Sequence, residues 1–76
     1  MKDYSKLTLR ELEVLRLISK GLDNYEIAET LVVAICTIKT FINRIYCKLG
    51  LSSTSSHAMR VRAALYYLEN KAKLEQ

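Results

Sequence analysis

Residues 23–50 read DNYEIAETLVVAICTIKTFINRIYCKLG, and this stretch decides the fold. It divides into a short helix, a tight turn and a longer helix whose two sides differ. On the longer helix Ile35, Ile38, Phe41, Ile42, Ile45 and Leu49 recur at intervals of three and four, the spacing that stacks side chains on one helical face. At about 100° per residue, Cys36, Thr40, Asn43 and Cys47 fall on the opposite side, flanked by Lys39, Arg44 and Lys48. One greasy face and one small polar face with basic flanks suit a narrow anionic groove. DNA is the first candidate.

Upstream, Thr8-Leu9-Arg10-Glu11 has the form of a capping box, in which Thr8 accepts from a free amide and Glu11 reaches back. A first helix is predicted over 8–20, with Leu12, Leu15 and Ile18 inward, Leu9 and Leu22 closing its ends, and Gly21 as a left-handed stop. Asp23 and Glu26 repeat the device and start a second helix over 24–31, with Ile27, Ala28 and Leu31 toward the core. Val32-Val33 makes the turn and, lacking glycine, is expected to use ordinary backbone regions. The third helix, 35–49, begins at Ala34 without the Ser or Thr that caps best, a loss of about 1 kcal/mol.

A polar run from Ser52 to Ser56 leads into a fourth helix over 54–70. Two apolar stripes mark it. Ala58, Val61, Leu65 and Leu68 are read as the core stripe, with His57 packed beside it. Met59, Ala63, Tyr66 and Tyr67 form the stripe on the far side. The architecture is therefore all-α, a four-helix domain over 8–70 with a central helix-turn-helix, between a polar arm (1–7) and a polar tail (71–76).

Seventy-six residues make one small domain, too short to bury more than a modest core unaided. The net charge of +4 is mild, but its placement is informative: no acid lies between Thr30 and Leu68, where Lys39, Arg44, Lys48, Arg60 and Arg62 do. Cys36 and Cys47 stand about 16 Å apart along one helix and cannot bridge, which reads as two free thiols. A single histidine supplies no metal cluster. Without a nucleophile–base set, phosphate loop or metal set, neither catalysis nor a cofactor is expected. Nothing has the length of a membrane span or the core of a signal peptide, so a cytoplasmic protein is expected.

Ile27-Ala28, Leu31, Val33 and Ile38 have helix-turn-helix spacing, and a wider set of blocks narrows the choice. Leu7–Leu15 (LTLRELEVL), Gly21–Ala28 (GLDNYEIA), Thr37-Ile38-Lys39 and Ile45–Leu51 (IYCKLGL) resemble the LuxR/GerE-type DNA-binding domain over about residues 7 to 68. The resemblance implies a bacterial transcription regulator whose third helix enters the major groove and whose fourth helix pairs two subunits. With Met1 first and no receiver or ligand-binding module ahead, the chain resembles the stand-alone, GerE-like kind; a fragment of a longer chain reads the same. The family usually has Ser at Ala34, His at Phe41 and Arg at Thr54, so a cap, a polar group and a charge are replaced here.

From the resemblance, Lys39, Thr40 and Asn43 are expected to contact bases. Asn can pair with adenine in the major groove, and a Thr methyl suits the thymine methyl. Thr37, Arg44 and Lys48 are assigned to phosphates, with Lys48 alternatively serving only as a helix-end charge. Asn24 and Tyr25, opening the second helix, are further phosphate candidates, Tyr25 being open to packing on the first helix instead. Arg10 is open between a backbone contact and a nearby Glu. Met59, Ala63, Tyr66 and Tyr67 are assigned to a homodimer interface, which would set half-sites about one helical turn apart as an inverted repeat. The expected partner is double-stranded DNA. The alternative is a protein-interaction module that binds another regulator or RNA polymerase.

Overall fold

The computed structural model describes residues 7–51 and 55–71. The arm to Lys6, Thr54 and the tail from Ala72 lie outside the described residues. Four helices follow in chain order: α1 (Leu9–Ser19), α2 (Asn24–Leu31), α3 (Ile35–Lys48) and α4 (Ser56–Glu69). Both anticipated capping boxes are formed. The Glu11 amide donates to Thr8 Oγ1 at 3.1 Å and the Thr8 amide to Glu11 Oε1 at 2.9 Å. At α2, Glu26 N donates to Asp23 Oδ1 at 2.9 Å and Asp23 N to Glu26 Oε1 at 2.8 Å. Ser55 caps α4 by accepting from the Ala58 amide, whereas Ala34 makes no side-chain cap on α3.

The core combines Val14, Leu15 and Ile18 of α1, Ile27 and Ala28 of α2, and Ile38, Ile42, Ile45 and Tyr46 of α3 with Leu49, plus Ala63 and Tyr67 of α4. Each fully buried isoleucine contributes about 1.5–3 kcal/mol. α1 packs chiefly on α4 and α3, and α2 packs on α3, so the long helix is clamped from behind by two partners. Two residues of α1 differ in burial from the sequence reading: Leu9, expected to close the helix end, is exposed, and Glu11, read only as a capping partner, is buried.

The faces of α4 are the reverse of those expected. Ala63 is 0% exposed and Tyr67 2% exposed, Met59 and Tyr66 pack against the core, and Val61, Leu65 and Leu68 point outward. Both stripes are apolar, so hydropathy alone did not separate them. Small Ala63 and large Tyr67 fill the space beside α1 that the Val61–Leu65–Leu68 stripe was expected to fill.

α1, α2 and α3 end in one and the same motif. In each, an amide just past the helix end reaches back five positions: Leu22 N to Leu17 O (3.3 Å), Val33 N to Ala28 O (3.0 Å) and Leu51 N to Tyr46 O (3.0 Å). The preceding amide closes a shorter bond, Gly21 N to Ile18 O, Val32 N to Glu29 O and Gly50 N to Cys47 O. This double closure needs a left-handed residue, normally glycine. Gly21 (φ 88°) and Gly50 (φ 70°) supply it, and between them Val32 does so at φ 57°, ψ 52°. The turn of the helix-turn-helix thus departs from ordinary backbone regions. Its two hydrogen bonds and the packing of α2 on α3 hold a β-branched residue in a region that favours glycine.

Candidate nucleic-acid interface

The clamp behind α3 leaves its other side free. Cys36, Lys39, Thr40, Asn43, Arg44 and Cys47 are all exposed along one outward side, with Thr37 half-buried at the start. Behind them Ile38, Ile42, Ile45 and Leu49 are buried, while Ile35 and Phe41 pack at the edge. The two-faced reading of this helix therefore holds residue by residue. Thr40 donates its hydroxyl proton to Cys36 O at 3.1 Å, so it presents only acceptor lone pairs and a methyl group to a neighbour. Cys36 and Cys47 are free thiols on the same side.

Lys48 is engaged elsewhere. Its Nζ lies 2.6 Å from Oε1 of Glu11, whose side chain is 1% exposed, in an ion pair that ties α3 to α1. Burial pushes the Glu11 carboxyl up, but the Lys48 hydrogen bond, the Thr8 amide and the charges of Lys48 and Arg44 outweigh it. The carboxyl is held below its usual value, and Lys48 is neutralised in place. Lys39 and Arg44 remain as the cations of the outward side.

At the start of α2, Tyr25 is 73% exposed, so it does not pack on α1. Asn24 is half-buried and accepts through Oδ1 from Arg60 Nη1 at 2.8 Å. A second bond from Arg60, Nη2 to Leu22 O at 2.5 Å, fixes the guanidinium between α4 and the loop before α2. Arg10 donates to Glu13 at 3.2 Å on the surface of α1, one of the two roles left open for it.

A groove of about 500 Å³ runs where the start of α2, the middle of α3 and the first turns of α4 meet, and Asn24, Lys39, Asn43, Tyr46, His57 and Arg60 line it. Burial pushes the Tyr46 phenol up and the nearby Arg60 charge pulls it partly back. His57 is exposed here rather than packed in the core, because the reversed face of α4 turns its first turn toward the groove. Sequence reading passed over His57 and Arg60 as interface groups. The available signal was the acid-free segment in which both sit.

Among the described residues, no group of three or more His, Cys, Asp or Glu is placed to hold a metal ion. No described helix is long and apolar enough to cross a membrane.

Residues 5–61 match the family of bacterial regulatory proteins described as the luxR family. The transcriptional regulatory protein LiaR of Bacillus subtilis is 43% identical over 67 residues, and the response regulator protein VraR of Staphylococcus aureus is 37% identical over 67. In each case the match covers 88% of this chain and 29% of the relative, so the chain spans under a third of their length.

Proposed function

The chain belongs to the luxR family of bacterial regulatory proteins, and from that membership we propose that it is a sequence-specific DNA-binding transcriptional regulator. The observation that carries this reading is the outward side of α3, where Lys39, Thr40, Asn43 and Arg44 are exposed together while the reverse of the helix is locked in the core. In this reading α3 enters the major groove. Lys39, Thr40 and Asn43 meet base edges there, and Thr37, Arg44, Tyr25 and Asn24 meet phosphates. Such work places the protein with the chromosome, in the bacterial cytoplasm.

A domain this small gains from pairing, and the outward stripe of α4, Val61, Leu65 and Leu68, is the apolar surface suited to it. A two-fold pair would bring two copies of α3 to successive major-groove faces of an inverted repeat.

Selection of bound sequences from a random duplex pool, followed by affinity measurement in rising salt, tests the proposal. Enrichment of one motif is expected, with log affinity falling against log salt at about −0.9 per neutralised phosphate. Lys39→Ala and Asn43→Ala should each cost about 1–3 kcal/mol, roughly fivefold to a hundredfold in affinity, with helical circular dichroism retained. Unchanged affinity in both variants would remove α3 from the interface.

A further inference from the structure

The groove where α2, α3 and α4 meet has a donor arrangement that goes beyond the outward side of α3. We infer that it seats a single DNA-backbone phosphate, held by Asn24 of α2 and His57 of α4, with the charge of base-reading Lys39 beside it and Arg60 as the positioning residue for Asn24. The inference rests on the DNA-binding reading above.

Arg60 decides which way the Asn24 amide faces. A guanidinium has donors only, so the Asn24 atom 2.8 Å from Arg60 Nη1 is the carbonyl oxygen. The Nδ2 group is thereby left as the end of the amide that Arg60 does not occupy, and its protons are donors suited to an anion. The clip cannot swivel freely, because the other arm of Arg60 is held by Leu22 O. Lys39 and His57 are both exposed and line the same groove from two other helices. The charged or titratable groups that line it are Lys39, Tyr46, His57 and Arg60, with no carboxylate among the lining residues. A carboxylate in the lining would repel a phosphate; this groove offers cations and neutral donors from three helices instead.

The location also suits the task. Asn43, at the centre of the outward side of α3, lines the groove too, so a phosphate seated there lies at the border of the base-reading row. A contact of this kind fixes register without reading sequence.

The test uses the full chain and a mixed-sequence duplex of about three helical turns, with affinity followed by fluorescence anisotropy in rising salt. Asn24→Asp keeps an oxygen for Arg60 while replacing the amide donors by a carboxylate oxygen. His57→Glu puts a carboxylate into the groove from an exposed site in the first turn of α4, where an acid favours the helix. Lys71→Gln, at the far end of α4, is the control for net charge, since all three variants change +4 to +3. Asn24→Asp and His57→Glu should each weaken binding about tenfold and flatten the salt slope by about 0.9, while Lys71→Gln changes affinity less than about twofold. If the wild-type chain binds with a steep salt slope but neither groove variant differs from Lys71→Gln, the phosphate seat is wrong and the DNA-binding reading stands. If the wild-type chain itself fails to bind duplex, the underlying reading is what fails. For Arg60, Arg60→Ala should cost affinity in the wild-type background and distinctly less beside Asn24→Ala; equal losses in both would end its positioning role.

Discussion

Replacing Val32 by glycine should make this protein more stable. Val32 carries φ 57° and ψ 52° at the closure of α2, a region that costs a non-glycine residue about 1–2 kcal/mol. Its side chain is 87% exposed, so truncation forfeits only a few tenths of a kcal/mol of burial. Glycine adds about 0.5–1 kcal/mol of unfolded-chain entropy to be lost on folding. The difference is a net gain of about 0.5 kcal/mol, or a rise of about 2–4 °C in melting temperature for a domain of this size. Val32→Asn, which tolerates the left-handed region without the full entropy loss, should gain about as much or more. The chain contains its own calibration. Gly21 closes α1 in the same way, and a Cβ built there meets nothing within 4 Å, so Gly21→Val should reveal the bare conformational cost with opposite sign. Thermal and urea unfolding followed by far-ultraviolet circular dichroism measures all three. A lower melting temperature for Val32→Gly, alongside the expected loss for Gly21→Val, would refute the argument that backbone strain outweighs side-chain contacts at this turn.

Three further outcomes follow from the packing. Glu11 has a folded carboxyl held below its unfolded value, so its stabilisation is complete above the unfolded value, near 4.3, and is lost as pH falls through the folded one. Glu11→Gln should therefore cost about 1–2 kcal/mol near neutral pH, with the gap from wild type closing in acid; melting curves across that range check it. Leu65→Glu should leave the fold intact and yield monomers in sedimentation, whereas Ala63→Glu, which places a charge at a fully buried site, should unfold the domain by a loss of about 3 kcal/mol or more. Ala34→Ser supplies the missing cap of α3 and should add about 0.5–1 kcal/mol in the same denaturation assay.

Much of the fold could be read because local chemistry and global packing agree. Thr8 with Glu11 and Asp23 with Glu26 mark helix starts by residue type and spacing alone, and both pairs form the bonds those residues are suited to make. The two faces of α3 were plain for a similar reason: isoleucines alternate with Lys, Thr and Asn at helical intervals, and burial follows the contrast. α4 offers no such contrast, since Ala63 and Tyr67 are as apolar by type as Leu65 and Leu68. Only the shape of the cavity beside α1 chooses between them, and shape is a tertiary property. The turn at Val32 was hidden because glycine is the usual sign of a left-handed residue and none is present. The pairing of Lys48 with Glu11 was hidden differently. The two are 37 residues apart, and the capping role of Glu11 already accounted for its presence.

That carboxylate joins two distant parts of the chain through a single atom. Oε1 of Glu11 accepts both from the Thr8 amide, where the chain enters α1, and from Lys48 Nζ, at the last turn of α3. Neither end can open without disturbing the bond that holds the other. The first turn of α1 and the last turn of α3 should then exchange their amide protons as one cooperative unit.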